Sequence, residues 1–202
     1  MPAIKSVETA LSLIKSDNSK ILDLTIGTHK VTPGQQIPKA GRSKSIHDNF
    51  RILFYCNEYH WKSAADAQAV PELAYNVTAG TYMVIGLDID APFPSFGILG
   101  PILHWIQPGL EPEQAADGRF VLTSSGTPFV ANYIGPAPPP GSAPHRYVFL
   151  LYEQPADFDV KNYAPSEGKN LGNWHRMRYD LGAFEKEAKL GPVLASNYFF
   201  SN

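Results

Sequence analysis

Several features that would assign a chain to a specialised class are scarce in this sequence. Cys56 is the only cysteine among 202 residues, so no disulfide can form within the chain, which suits a reducing compartment. The formal net charge is −2, so there is no basic surplus for nucleic-acid binding. No run approaches the roughly 20 apolar residues that cross a bilayer, and the N-terminus lacks an apolar signal-peptide core. We therefore expect a cytoplasmic protein with no nucleic-acid partner and no integral membrane segment.

The rest of the composition is that of a folded domain. Hydrophobic residues make up 44% of the chain and aromatic residues 12%, as in globular proteins. No internal repeat is visible. A chain of this length can bury a sizeable core as one unit, so we expect a single domain over residues 1–202.

The N-terminal segment, residues 1–18, has the pattern of an amphipathic helix. Its apolar positions recur at helical spacing and would share one face: Val7, Ala10, Leu11 and Ile14. This face either packs on the body of the domain or binds a partner protein. Both interpretations stay open at the level of the sequence.

Most of the remaining chain alternates between short apolar runs and turn residues, which predicts a mostly β protein. The predicted strands are Lys20–Val31, Phe50–Cys56, Thr81–Leu87, Ile102–Gln107, Arg119–Thr123, Thr127–Tyr133 and His145–Tyr152, with Val193–Phe200 as a final extended segment. Two further helices are predicted at Ser63–Ala69 and Trp174–Leu190. This pattern favours an antiparallel β-sandwich with peripheral helices.

The stretch from Asn132 to Pro155 has two halves of opposite character. Residues 133–144 are rich in proline and glycine, which predicts a stiff, extended loop. The following strand is apolar for most of its length, so we expect it to be buried on both faces. A rigid loop would hold His145 and Tyr147 at the mouth of a site, with little conformational freedom to lose on binding.

Three blocks of this sequence resemble the phosphatidylethanolamine-binding protein (PEBP) family. The first is GPAPPPG followed by PHRYVFLLYEQP, which ends at Pro155. The second is the run Asp88-Ile89-Asp90-Ala91-Pro92, followed by His104-Trp105. The third, LASNYFF near the C-terminus, is similar to the carboxypeptidase Y inhibitor-like branch. The resemblance implies an antiparallel β-sandwich, with a large central sheet, a smaller sheet and helices outside.

The resemblance also implies one small anion-binding pocket. The positions that would line it are Asp88, Asp90, His104, His145 and Tyr147, with Pro92 and Pro139 at its rim. From spacing alone, Asp88 and Asp90 either point to one face of an extended segment or form a turn in which each accepts backbone N–H groups. The family resemblance favours the pocket.

The segment between Asp88 and His104 departs from the family pattern. It contains no basic residue and carries aromatic and aliphatic side chains instead. A phosphate group here would lose a cationic partner, and charge-assisted hydrogen bonds are the stronger ones. We therefore expect Phe93 and Phe96 to cover a hydrophobic or weakly anionic small molecule.

Three functions fit these residues. The first is non-covalent binding of a small ligand. The second is acid–base catalysis of an isomerisation, cyclisation or dehydration, with His104 or His145 as acid or base and Asp88 or Asp90 orienting it. The third, implied by the C-terminal resemblance, is inhibition of a serine carboxypeptidase, and with it a protein partner of the protease or kinase type.

The sequence gives weaker signals for other chemistry. Two histidines and the aspartates could hold a metal, but they come from separate segments without HxH or HExxH spacing, so we expect none. No cofactor is expected either. No serine lies in a GxSxG context, so the sequence does not indicate a nucleophilic triad.

Overall fold

The computed structural model describes residues 5–38, 66–95 and 98–202. The predicted strand Phe50–Cys56 and the candidate ligand-binding residue Phe96 lie outside the described residues. So does the first part of the predicted helix Ser63–Ala69, of which Asp66–Gln68 is described and forms one 3₁₀ turn.

Strands account for most of the regular structure. They are β1 (Asp23–Ile26), β2 (His29–Val31), β3 (Gln35–Gln36), β4 (Glu72–Ala74), β5 (Tyr82–Asp88), β6 (Ile102–Gln114), β7 (Phe120–Ser124), β8 (His145–Glu153) and β9 (Ala195–Ser201). The α-helices are α1 (Lys5–Ser16) and α2 (Leu181–Glu187). Further 3₁₀ turns occur at Asn18–Lys20, Val160–Asn162, Ser166–Gly168 and Asn173–His175.

All the described strands are joined in one sheet. Their order is β2-β1-β4-β7-β6-β5-β8-β9-β3. Neighbouring strands are antiparallel except β3 and β9, which are parallel. Ile21, directly before β1, forms a parallel bridge with Ser196 of β9. The sheet therefore curves back on itself and places its two ends side by side.

The central strands β5, β6 and β8 are buried on both faces, as the apolar run of β8 predicts. Alternate residues contribute to two cores. Val84 and Phe149 belong to a core shared with β1, β4 and β7. Ile85 and Leu150 belong to a second core, shared with α1 and α2. The prediction of a mostly β, sandwich-like fold with peripheral helices is confirmed, and the predicted large and smaller sheets are joined as one continuous sheet in the described residues.

Helix α1 packs on the domain through the face that the sequence predicts. Val7, Ala10 and Ile14 are buried, and Ser6 Oγ donates to Glu185 Oε2 at 2.9 Å. A contact between α1 and a partner protein stays a prediction. Among the helices of the described residues, none is long and apolar enough to cross a membrane.

The structure corrects the extent of four predicted elements. Lys20–Val31 is not one strand, because Gly27, with φ of 58°, forms the turn between β1 and β2. β6 runs on past the predicted end at Gln107, and Gly109, with φ of 68°, lies opposite a register shift in β5. Such a glycine lets a long strand bulge without ending.

The other two corrections concern the loops beside the central strands. Thr127–Tyr133 forms no strand and contributes only the bridge between Ala131 and Ile106. The predicted helix Trp174–Leu190 is reduced to α2, because Arg178 has φ of 54° and cannot continue a helix. Asp180 then caps α2 by accepting a hydrogen bond from Ala183 N at 2.9 Å.

Candidate functional site

Three neighbouring strands bring the candidate residues to one end of the sheet. Asp88 is the last residue of β5 and pairs in register with Tyr147 of β8. His145 is the first residue of β8, and His104 lies near the start of β6, on the other side of β5. Because β6 and β8 both run antiparallel to β5, their first residues meet its last. Each of these four side chains is at most 5% exposed.

Asp88 and His145 form a buried pair. His145 Nδ1 lies 2.8 Å from Asp88 Oδ2, and Asp88 Oδ1 accepts the amide of Asp90 at 2.9 Å. Burial lowers the pKa of His145, but the hydrogen bond and the charge of Asp88 outweigh it, so the pKa lies above its ordinary value. The carboxylate therefore holds a proton on Nδ1 and fixes the orientation of the ring.

The other nitrogen of His145 faces a serine that the sequence interpretation did not single out. Ser142 Oγ lies 2.8 Å from His145 Nε2 and 2.8 Å from the carbonyl oxygen of Ala143, to which it can donate. Ser142 is half-buried, whereas His145 is 1% exposed. The serine hydroxyl is therefore the link between the buried pair and the surface. The sequence feature that could have indicated Ser142 is its position, three residues before His145 at the end of a proline-stiffened loop.

His104 differs from His145 in its partner and its charge. Its Nδ1 lies 2.7 Å from the carbonyl oxygen of Ile134, which can only accept, so Nδ1 carries a proton. Burial lowers the pKa of His104, so the ring is neutral near pH 7. Its Nε2 is then a hydrogen-bond acceptor. The loop is held in place by the return bond from Ile134 N to His104 O at 2.9 Å.

Tyr147 lies between the two histidines. Its ring packs edge-on against His104, with ring centroids 5.0 Å apart, and stacks on His145 at 6.5 Å. Burial, and then the nearby charge of Asp88, raise the pKa of the phenol, so it stays protonated. Its hydroxyl lies near the Asp88 carboxylate and the backbone of Ala137, but neither contact has the geometry of a full hydrogen bond. A buried hydroxyl without a full hydrogen bond costs up to about 1–3 kcal/mol, and a ligand that accepts from it would relieve this cost.

Asp90 is held apart from these four side chains by Arg146. Arg146 donates to both carboxylate oxygens of Asp90, from Nε at 2.7 Å and from NH2 at 2.6 Å, and its backbone amide donates at 2.8 Å. Asp88 and Asp90 thus bind successive residues of β8, which point to opposite sides. The turn interpretation holds for Asp88, which accepts the amide of Asp90, whereas Asp90 accepts a backbone N–H from the neighbouring strand β8. A direct contact between Asp90 and a ligand stays a prediction.

Two loops surround the cluster. The carbonyl of Pro92 lies against the His145 ring, and the next residue, Phe93, is 38% exposed. Pro139 is half-buried on the opposite loop, where its carbonyl accepts the amide of Ser142 at 3.1 Å. The residues expected at the rim therefore lie beside the cluster, and Phe93 adds an apolar surface next to it.

Most of this sequence matches the model of one protein family. The family model described as "Phosphatidylethanolamine-binding protein" matches residues 28–199. The chain belongs to the phosphatidylethanolamine-binding protein (PEBP) family. The match runs from β2 into β9 and therefore includes every strand that supplies a residue to the site.

Curated relatives of this PEBP chain match it over part of their lengths. The "Phomoidride biosynthesis cluster protein N" of Talaromyces stipitatus is 37% identical over 123 residues, which is 59% of this chain and 58% of that protein. The carboxypeptidase Y inhibitor of Saccharomyces cerevisiae is 37% identical over 80 residues, which is 40% of this chain and 36% of that protein. The chain thus spans less than two thirds of either relative.

Solved PEBP structures share the fold. The carboxypeptidase Y inhibitor complexed with its cognate proteinase superposes with a TM-score of 0.64 at 21% identity, over 99% of this chain and 98% of that one. The phosphatidylethanolamine-binding protein from Plasmodium vivax gives a TM-score of 0.57 at 14% identity, over 100% and 97% of the two chains. These similarities establish the shared fold and the placement of the strands.

A second residue that the sequence did not indicate is Arg176, which holds the backbone next to the PEBP site. Arg176 is 1% exposed, and its guanidinium donates to the carbonyls of Leu171 and Leu103 and to the backbone and side-chain oxygens of Asn132. No carboxylate among the described residues pairs with it. Arg176 thus ties the start of the proline-rich loop to β6, and with it the carbonyl that binds His104. Within the described residues, no group of three or more His, Cys, Asp or Glu side chains is arranged to hold a metal ion.

Proposed function

We propose that this PEBP chain binds a small organic molecule at Asp88, His104, His145 and Tyr147. The observation that carries this proposal is the Tyr147 hydroxyl, which is buried and without a normal hydrogen bond in the described structure. The fold holds this donor next to the neutral His104 at an energetic cost. A ligand oxygen that accepts from the phenol would remove that cost on binding.

The surroundings favour a hydrophobic or weakly anionic ligand over a strongly charged one. The charge of His145 is balanced by Asp88, and that of Arg146 by Asp90. Arg176 is occupied by carbonyl oxygens behind β6. A fully ionised phosphate would therefore meet no unpaired cation among these residues. A carbonyl or carboxylate oxygen needs only the phenol as its donor, and a hydroxyl group of the ligand can donate to Nε2 of His104. The exposed ring of Phe93 would contact the apolar part of the ligand.

Native mass spectrometry of the protein purified from its own host tests this proposal. We expect wild-type protein to retain a small molecule, and Tyr147→Phe to lose most of it because the ligand loses its hydrogen-bond donor. Tyr152→Phe removes the same atom from the opposite face of the same strand and should retain the ligand. Equal retention in Tyr147→Phe, or no bound molecule in any preparation, would contradict the proposal.

Acid–base catalysis at the same site is a second candidate. It is favoured by the two histidines being held in different states, His145 by a carboxylate and His104 as a neutral ring. Such a pair can supply a base and a hydrogen-bonding group to one substrate. A relative bears the name of a biosynthesis cluster protein, which makes a biosynthetic intermediate the substrate class to test. We expect turnover of such intermediates by wild type and none by His104→Ala or His145→Ala. Wild-type turnover equal to the buffer blank rejects catalysis and leaves binding in place.

Inhibition of a serine carboxypeptidase is a third candidate. It rests on the named inhibitor among the relatives and on the resemblance at the C-terminus. The exposed face of α1 includes Glu8, Thr9 and Ser12, which the packing of the helix leaves available. Deletion of residues 1–16 should abolish inhibition while Tyr147→Phe retains it. A full-length protein that leaves carboxypeptidase activity unchanged excludes this function.

A further inference from the structure

We propose that Ser142, His145 and Asp88 form a nucleophilic triad, in which Ser142 accepts an acyl group from the ester of an apolar carboxylic acid. This inference goes beyond reversible binding, although both use Asp88 and His145. No sequence motif indicates this triad, because Ser142 lies in a Pro-Pro-Pro-Gly-Ser-Ala-Pro loop and not at a GxSxG turn.

The geometry meets the two contacts that a triad requires. Ser142 Oγ lies 2.8 Å from His145 Nε2, and His145 Nδ1 lies 2.8 Å from Asp88 Oδ2. The nucleophile, the base and the orienting carboxylate are therefore joined in one hydrogen-bonded line. The carboxylate is buried and is also held by the amide of Asp90, so it keeps the ring in one orientation.

The members of the triad differ in solvent exposure. Asp88 and His145 are buried, whereas Ser142 is half-buried between the exposed residues Gly141 and Ala143. A substrate can therefore reach the hydroxyl without unfolding the pair behind it. The amide of Ala143 donates to no acceptor in the described parts of the chain. An amide directly after the nucleophile is a position from which a backbone N–H can stabilise the oxyanion of acyl transfer.

The hydroxyl proton of Ser142 has two acceptors in the structure. When His145 is doubly protonated, Nε2 donates to Ser142 and the hydroxyl donates to the carbonyl of Ala143. When His145 loses the Nε2 proton, that nitrogen becomes an acceptor and can take the hydroxyl proton. Ser142 is therefore a nucleophile only above the pKa of His145, which lies above the ordinary value because the effect of Asp88 outweighs burial.

The proposed step balances with water as the second reactant. Ser142 Oγ bonds to the acyl carbon, His145 Nε2 takes the hydroxyl proton, and the proton passes to the leaving alkoxide as the ester C–O bond breaks. An alcohol departs and an acyl-serine remains. Water then attacks the acyl-serine by the same route, releasing the carboxylic acid and restoring the hydroxyl.

The apolar acyl group follows from what borders the triad. The Pro92 carbonyl lies against the His145 ring, so the exposed ring of Phe93 begins one residue away. Proline and alanine make up most of the loop on the other side, residues 136–144. Among the described residues of these two loops, none offers a charged side chain to an acyl group at Ser142, so a hydrocarbon chain is the class that these surfaces fit.

Labelling with an alkyl fluorophosphonate tests the triad without knowledge of the natural substrate. Peptide mapping of wild-type protein should place one adduct on Ser142. Asp88→Asn should slow the labelling by at least about tenfold, because the base loses its orienting carboxylate. Ser125→Ala, which changes an exposed serine with no histidine contact among the described residues, should label at the wild-type rate.

The pH dependence in wild-type protein gives a second measurement that needs no buried substitution. The groups that face His145 are Asp88, Asp90, His104 and Tyr147. We expect the labelling rate to rise with pH, with a midpoint above the ordinary imidazole pKa of 6.5. An unlabelled Ser142, or a rate that does not change between pH 5 and 9, would overturn the triad. Ser142→Ala should lose the label but retain the non-covalent ligand, so failure of one proposal is distinguishable from failure of the other.

Discussion

Two tyrosines of β8 allow the energetic cost of the unsatisfied hydroxyl at the site to be measured. Tyr147 and Tyr152 are both at most 2% exposed, and they point to opposite faces of the same strand. The Tyr152 hydroxyl donates to Glu185 Oε1 at 2.7 Å, whereas that of Tyr147 has no normal partner among the described residues. Changing either tyrosine to phenylalanine removes one buried hydroxyl from the same strand, but we expect opposite effects on stability.

The magnitudes follow from the hydrogen bonds. Removing an unsatisfied buried hydroxyl relieves a desolvation penalty of about 1–3 kcal/mol. The small void left behind offsets part of this gain, so Tyr147→Phe should stabilise the protein by about 1 kcal/mol. Tyr152→Phe removes a hydrogen bond to a carboxylate, which contributes about 1.5–3 kcal/mol. For a domain of this size, 1 kcal/mol moves the melting temperature by about 2–4 °C. We therefore expect Tyr147→Phe to melt above the ligand-free wild type and Tyr152→Phe to melt below it.

Calorimetry and urea unfolding of ligand-free protein measure both variants. Ligand must first be removed, because a molecule bound only to the native state stabilises it and would mask the gain. A melting temperature of Tyr147→Phe that falls as far as that of Tyr152→Phe would refute the reasoning. It would mean that the Tyr147 hydroxyl has a partner in the folded protein, and that the site is not poised for a ligand.

The remaining predictions concern the groups around this tyrosine. Asp88→Asn should lower the pKa of His145, as followed by NMR titration. The folded-state pKa of His145 is raised, so its pairing with Asp88 contributes fully to stability below the unfolded-state pKa of 6.5. This contribution is lost as pH rises through the folded-state pKa, so the difference in unfolding free energy between wild type and Asp88→Asn should narrow over this pH range. A difference that widens there contradicts the pairing. Arg176→Met should destabilise by at least about 3 kcal/mol in urea, since it removes four hydrogen bonds to buried or partly buried carbonyl and amide oxygens, whereas the exposed Arg178→Met should cost about 1 kcal/mol or less. Similar losses in the two arginine variants would show that the buried guanidinium does not tie the loop to β6.

Much of the fold was readable from the sequence because burial leaves a pattern in it. The apolar run of β8 predicted a strand buried on both faces, and α1 packs through its predicted stripe. Where the sequence interpretation was wrong, one residue's backbone angle decided the outcome. Arg178 in a left-handed conformation keeps the predicted C-terminal helix from forming before Leu181, and Gly109 lets β6 continue past its predicted end. Neither angle has a signature in hydrophobic periodicity.

For the site, the sequence determined the residue types, and the family resemblance placed them in one cavity. Only the tertiary structure decided the partners: Asp88 with His145, Asp90 with Arg146, and Ser142 with the far nitrogen of the imidazole. The physical reason is that hydrogen bonds act over about 3 Å and depend on angle, whereas sequence separation says nothing about either. Asp88 and His145 are 57 residues apart in the chain, and the register of β5 against β8 brings them within 2.8 Å.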